Sequence, residues 1–378
     1  MADIVILGGG FGGLAAAAAV APAAHAGHRV TLVERRREFL MGLRKLWMLT
    51  GRSTRQEGAR PLDGVRKHGA VWLDDEVVAI EPDRKRVRTA REELPYDFLI
   101  VALGAQPRPD LVAGFEHALN LYDADEVERL APRVAEFAGG RVAVGILGLP
   151  YKCPPAPYEA VMLMDDHFRR RGVRDRVEMV AFTPQPTSLP VAGPDACAAV
   201  EGQLAAKGIR FEPNRRVRGI EAGRVVFEDG AVEFDLLVAV PPHRPPAVVK
   251  DSGLTSHSEW IRPDPRTMRT GLDGVFAVGD VTEILMPNGM PLPKAGVFAE
   301  SQAQVAVSQI LRELGLTETG ATFSGAGYCF IEVGGGMAAK VHGDFLALPA
   351  PDVRVSSPSE RVLEEKRAFE QERLAAWL

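Results

Sequence analysis

"DIVILGGGFGGLAAAAAV", Asp3 to Val20, decides the fold. Ile4 to Leu7 is an apolar, strand-like run; glycines follow it, and the alanine-rich tail favours helix. Within this strand, turn and helix, Gly8, Gly10 and Gly13 fit GxGxxG. The first glycine allows the tight turn, the second lets a pyrophosphate approach the backbone, and the third lets the helix close on the strand. The phosphates are then expected on the helix N-terminus. The next strand, "HRVTLVE", ends in Glu34, where an acidic side chain can hold an adenosine ribose through its hydroxyls. Taken alone, Glu34 also reads as a solvated strand-end carboxylate.

The 378 residues suit two or three domains with a substantial core. An apolar fraction of 46%, a charged fraction of 25% and a net charge of −5 are ordinary for a globular protein and exclude the basic excess of a nucleic-acid binder. No apolar run reaches the ~20 residues of a bilayer span, and "MADIVIL" enters a strand at once, so a cytoplasmic chain is expected. Three cysteines, Cys153, Cys197 and Cys329, are too few for a secreted disulfide framework; a pair among them reads as redox-active sooner than structural. No metal is called for.

Two later stretches, "YDFLIVALGAQP" ending its strand near Gly104 and "GVFAVGDVTEI" ending in Gly279 and Asp280, follow the first in the same order as in flavoprotein reductases with two dinucleotide domains. The chain resembles that group. The resemblance implies an α/β fold of two interleaved Rossmann-like domains, with FAD as cofactor and Asp280 on its ribityl chain. A strand-end carboxylate can accept hydrogen bonds from such hydroxyls at a topological switch point, although an aspartate after glycine also stabilises turns. It further implies FAD contacts at Phe11, Gly12, Arg35, Val78, Ala102, Leu103, Lys294 and Ala295. The implied segments are 1–110 and 241–310 for the FAD domain, 111–240 for the second domain, and 311–378 for a carboxyl-terminal α+β segment.

A second nicotinamide cradle is expected to be degenerate. The strand "RVAVGIL" leads into "GLPYKCPPAPYEA", where Gly145 and Gly148 are misspaced and Pro154, Pro155 and Pro157 lack the N–H donors a phosphate needs. Proline suits a first helical turn, so Cys153 is placed at or just before a helix N-terminus. Two readings stand: a thiolate favoured by the helix dipole and Lys152, or an inert packed cysteine.

Cys329, in "FSGAGYCFIEVGGG", is expected on a strand. Neither cysteine lies in CxxC or CxxxxC. "YKCPPAPYE" and "GYCF" resemble the paired redox cysteines of sulfide:quinone oxidoreductases and flavocytochrome c sulfide dehydrogenase flavoproteins, and the likeness covers nearly the whole chain. It implies that Cys153 and Cys329 form a disulfide or sulfur-bridged pair over the flavin. Sulfide opens the pair to a persulfide, and electrons pass to FAD and on to a quinone or a c-type cytochrome; disulfide exchange is fast when the leaving thiolate is stabilised. It also implies a proton-shuttling Glu159, where burial raises its pKa, and a flavin-side Lys294. Each has a plainer reading as a solvated side chain.

The chain departs from sulfide:quinone oxidoreductases in having no cysteine before Cys153, and from flavocytochromes in having no evident signal segment. Cys197 reads as packing. "FLMGLRKLWMLTGR", with Trp47, reads as core sooner than peripheral membrane contact, and the charge-balanced terminal helix "SERVLEEKRAFEQERLAAWL" as docking on its own protein or on a homodimer partner. His243 and Arg244 read as loop residues kept for solubility. The competing functions are an NAD(P)H-dependent quinone or ferredoxin-type reductase, and a redox sensor that turns over little.

Overall fold

Along the chain run β1 (Asp3–Leu7), α1 (Phe11–Ala19), β2 (Arg29–Val33), β3 (Val71–Leu73), β4 (Phe98–Val101), β5 (Leu119–Asn120), β6 (Gly140–Ile146), α2 (Ala156–Arg170), β7 (Val177–Phe182), β8 (Arg210–Glu212), β9 (Leu236–Val240), β10 (Val275–Ala277), α3 (Gly296–Glu313), β11 (Ala326–Gly334), β12 (Met337–Asp344), β13 (Asp352–Val355) and α4 (Glu360–Trp377). The computed structural model describes residues 1–255 and 258–378.

Two parallel sheets share one plan, β10-β4-β1-β2-β3 and β5-β9-β6-β7-β8. In each, the central strand has its sequence successor on one side and a much later strand on the other, so a crevice opens beyond its carboxyl end. Their inner strands are buried without interruption at Phe98–Val101 and Leu236–Val240, as expected where both faces are covered. Register aligns the first sheet's strand ends: Leu7 pairs with Val33 and Val101, and Val101 with Ala277. Gly8, Glu34, Gly104 and Gly279, each just beyond one of these strands, therefore gather at one edge.

Small residues let α1 lie deep. Its own Ala15, Ala16 and Ala17 are buried, and a Cβ on Gly296 at the start of α3 would come within 2.8 Å of the Phe11 ring. The antiparallel β11-β12-β13 sheet ties the two cores together. Ile331, Val333 and Val341 join the second core, while Phe345 and the α4 residues Phe369, Leu374 and Trp377 join the first. The terminal helix docks on its own chain, with the Trp377 ring 5.2 Å edge-on to Phe11 and Arg44 paired with Glu370 in the interior. No described helix is long and apolar enough to cross a membrane.

Candidate active site

The first crevice is built for close approach. Gly8 has φ +100°, and a Cβ there would meet Ala102 O at 2.5 Å; a Cβ on Gly13 would sit 1.7 Å from Gly8 O. Gly10 faces open space and no side chain caps α1, so the start of the helix is bare on the side of the crevice. These residues fit a dinucleotide such as FAD: a cradle that side chains would fill, at a helix N-terminus, with Asp280 and Gly104 at the neighbouring strand ends.

Glu34 is buried and holds this turn. Its carboxylate accepts from Gly9 N at 2.8 Å and from the Arg36 guanidinium at 2.8 Å. Burial pulls its pKa up, but Arg36 and the Gly9 N–H prevail and hold it below the usual carboxylate value. The guanidinium beside Glu34 is thus that of Arg36. Arg35, the expected cofactor contact, turns its side chain outward to Glu76 at 2.7 Å, because the strand has ended and consecutive side chains diverge. Val78 is 46% exposed on an outlying three-stranded meander, at a register shift between Val77 and Ala79. The Phe11 ring faces away into an aromatic cluster with Phe39, Phe369 and Trp377.

At the second crevice nothing resembles that cradle. The glycines there accommodate protein: a Cβ on Gly145 would overlap the Phe182 ring at 2.0 Å, and one on Gly148 would touch Pro242 at 3.0 Å. α2 begins only at Ala156, with Pro155 as its N-cap, so Cys153 stands two residues before the cap, with φ +50°. The Ala156 N–H is already taken by Cys153 O at 3.0 Å, and the Glu159 N–H by Pro155 O at 3.0 Å.

This turn is lashed to the segment that follows β10. Cys153 N donates to Lys294 O at 2.7 Å, while Lys294 Nζ reaches back to Asp280 O at 2.8 Å and Thr282 O at 3.0 Å and lies 3.4 Å from the Trp260 ring centroid. Burial lowers Lys294 to about 8. Tyr122 Oη donates to Lys152 O at 2.7 Å and lies 3.1 Å from Cys153 O. Lys152 Nζ turns to Ala105 O at 3.3 Å, beside the Gly104 strand end.

The groups around Cys153 favour the thiol over the thiolate. Cys153 is exposed along the cleft, and desolvation by the surrounding protein, with Glu159 adding, lifts the thiol to about 12 against the weaker pull of Lys366. Cys329, half-buried on β11, is also pushed up, by burial first and then by the nearby Cys153 and Glu159. The two sulfurs are thus electrostatic neighbours, although both are free thiols and no S–S bond joins them here. Cys197 is buried in the second core, its thiol 3.3 Å from Thr187 Oγ1.

Glu159, on the first turn of α2, is 3% exposed and not solvated. Its Oε1 accepts from Glu332 N at 2.7 Å and from Lys366 Nζ of α4 at 2.5 Å. Glu332 in turn meets Lys366 at 3.2 Å, Arg52 at 2.5 Å and Trp47 Nε1 at 2.9 Å. Trp47 is core, as the sequence suggests, but it carries a polar duty. Lys366, Glu332 and Arg52 escape a sequence reading because they come from three distant segments; the only hint is a lysine on the otherwise apolar stripe Val362, Phe369. His243 is wholly buried, which corrects its reading as a solubility residue. Its Nδ1 pairs with Pro241 O at 3.0 Å, Nε2 has no partner among the described residues, and burial drives it down to about 3.

The family model of the pyridine nucleotide-disulphide oxidoreductases matches residues 2–309. The chain belongs to this family. It is a flavin-dependent oxidoreductase, and FAD is its cofactor. A mitochondrial sulfide:quinone oxidoreductase from Dictyostelium discoideum is 26% identical over 333 residues, 83% of this chain and 71% of that protein. A demethylphylloquinone reductase from Synechocystis is 24% identical over 334 residues, 82% of this chain and 79% of that protein. The crystal structure of the sulfide:quinone oxidoreductase from Aquifex aeolicus superposes with a TM-score of 0.88 at 22% identity, covering 98% of this chain and 90% of that one. Together with the two parallel sheets, this likeness establishes the α/β fold.

Proposed function

We propose that the chain oxidises sulfide, or a related small thiol or persulfide, through Cys153 and Cys329, and that the electrons leave by way of FAD to a quinone. The observation that carries this reading is the lashing of the Cys153 turn to the flavin side by the Cys153 N–H to Lys294 O bond, with Cys329 close enough to feel the Cys153 charge. The curated relative named for sulfide and quinone supports it.

In the oxidised pair, hydrosulfide attacks one sulfur; its S–S bond forms as the Cys–Cys bond breaks, leaving one cysteine as a persulfide and the other as a thiolate. Transfer of the persulfide's outer sulfur to a second sulfide or small thiol would leave two cysteine thiols, and FAD, when bound, would supply the two-electron acceptor that returns them to the disulfide. Glu159 is the proton acceptor of the site: burial raises its pKa toward the working range of a base, while Lys366 opposes that rise. Lys294 and its two carbonyl contacts hold the Asp280 turn against the Cys153 turn. Tyr328 and Phe330, the strand neighbours of Cys329, turn to the opposite face of the sheet and pack with Phe369 at ring-to-ring centroid distances of 5.6 to 5.9 Å.

Anaerobic mixing of the yellow holoprotein with sulfide tests this directly. Flavin absorption near ~450 nm is expected to bleach quickly, and Cys153→Ser or Cys329→Ser to slow bleaching by at least about a hundredfold. Variants that bleach as fast as the native chain would remove the cysteine pathway. Membership of the pyridine nucleotide-disulphide oxidoreductases favours a nicotinamide-driven reductase as the competing reading; the proline-rich second turn opposes it.

A further inference from the structure

Lys366 belongs to none of the cofactor or sulfur motifs, yet it is 2% exposed on the terminal helix and, among the described residues, is the one cation within contact of Glu159. The network it centres holds two carboxylates, Glu159 from α2 and Glu332 from β11, and two cations, Lys366 and Arg52, so it is neutral when all four are ionised. Burying a lone ammonium would be prohibitive, and here the carboxylates compensate for it. Removing the charge from either carboxylate leaves positive charge over, and the Cys153 sulfur lies within electrostatic range of both Glu159 and Lys366.

We propose that Lys366 is a positioning residue of the sulfur site, the fixed counter-ion for a negative charge that shifts from Glu159 to Cys153 during turnover. The inference rests on the sulfide reading above. In the step, hydrogen sulfide gives one proton to the Glu159 carboxylate, its sulfur bonds to Cys329, and the Cys153–Cys329 bond breaks with both its electrons remaining on Cys153. Glu159 becomes neutral as Cys153 becomes a thiolate, so that Lys366, paired with Glu332 throughout, has one further negative charge to balance before and after. A migrating charge with a standing partner needs little reorganisation in a low-dielectric interior.

Other charged groups face Cys153. Asp280 opposes the thiolate, and Lys152 and Lys45 favour it; Tyr122 stays neutral, its pKa raised by burial. Lys152 and Lys45 donate to the carbonyls of Ala105 and Tyr122, and burial lowers Lys45 to about 7. Lys366 differs from them in bonding directly to the carboxylate that receives the proton.

The test reads the thiol, not turnover. In reduced holoprotein carrying Cys197→Ser and Cys329→Ser, the rate of Cys153 alkylation by iodoacetamide is followed against pH by mass spectrometry. Lys366→Met is expected to raise the apparent thiol pKa and slow alkylation at pH 8 about tenfold; Glu159→Gln is expected to lower the pKa and speed it about tenfold, with Lys366→Arg near native. A purely structural Lys366 would move both variants in the same direction or neither. Profiles within about twofold of native for Lys366→Met and Glu159→Gln would overturn the proposal. Bound flavin and melting temperature report folding, and if Lys366→Met does not fold, the Glu159→Gln arm decides. A chain that failed to oxidise sulfide would leave this result standing, and the converse also holds.

Discussion

The turns after β1 and β6 occupy equivalent places in two sheets that share the four-strand order β4-β1-β2-β3 and β9-β6-β7-β8, and they have become opposites. After β1, glycines keep side chains out of the crevice: Gly8 lies against Ala102 O, Gly13 against Gly8 O, and Gly10 is open. After β6, glycine serves packing against Phe182 and Pro242, prolines replace N–H donors, and the helix start is delayed to Ala156. The residue left at the crevice is Cys153, whose N–H is spent on Lys294 O of the segment that follows β10. Under the function proposed above, one plan serves two chemistries, according to whether the turn leaves room for a phosphate or presents a sulfur. Strand order fixes where a site opens, and the turn's side chains decide what it takes.

The sharpest break in this comparison comes from adding one methyl group to each turn. Gly13→Ala sets a Cβ 1.7 Å from a backbone oxygen, and the purified protein is expected to lose its yellow colour. Gly148→Ala, at 3.0 Å from the Pro242 ring, is expected to keep it. Gly145→Ala collides with the Phe182 ring and acts on stability instead; overpacking of this kind costs about 1–3 kcal/mol, so a melting temperature lower by several degrees is expected, with flavin retained in the folded protein.

The smallest effect at neutral pH is expected at His243, and it appears only as a pH dependence. His243, beside the second turn, is held neutral at about 3 by burial, with Lys152 adding, while an unfolded histidine titrates near 6.5. Its folded pKa is lowered, so the unfolded chain binds the extra proton as pH falls between these values. Stability should decline through that window by up to about 1.4 kcal/mol per pH unit and be indifferent to this group above it. Thermal melting of His243→Gln should show a flatter acid limb than the native chain; equal slopes would assign the acid sensitivity elsewhere.

How much was legible follows the range of the interactions. The first cradle is local, with strand, three glycines and helix inside Asp3–Val20, and it reads directly from periodicity and glycine spacing. The loss of the second cradle is equally local, because missing N–H groups are visible as prolines. The thiol's character was not. A cysteine before a helix reads either as dipole-stabilised or as inert and packed, and the balance depends on surroundings such as Lys366 that lie hundreds of residues away. The same holds for Glu159, whose partners Glu332 and Lys366 lie 173 and 207 residues on. Arg35 and Arg36 were a matter of one residue: at a strand end, which neighbour points inward depends on backbone direction that composition does not carry.

The central claim, that the second turn exchanged a dinucleotide for a sulfur pair, is tested most directly by offering both donors to one anaerobic sample. Sulfide is expected to bleach the flavin within the mixing experiment, while NADH or NADPH at the same concentration leaves it yellow for minutes. Rapid bleaching by a nicotinamide, with sulfide slow, would contradict the account.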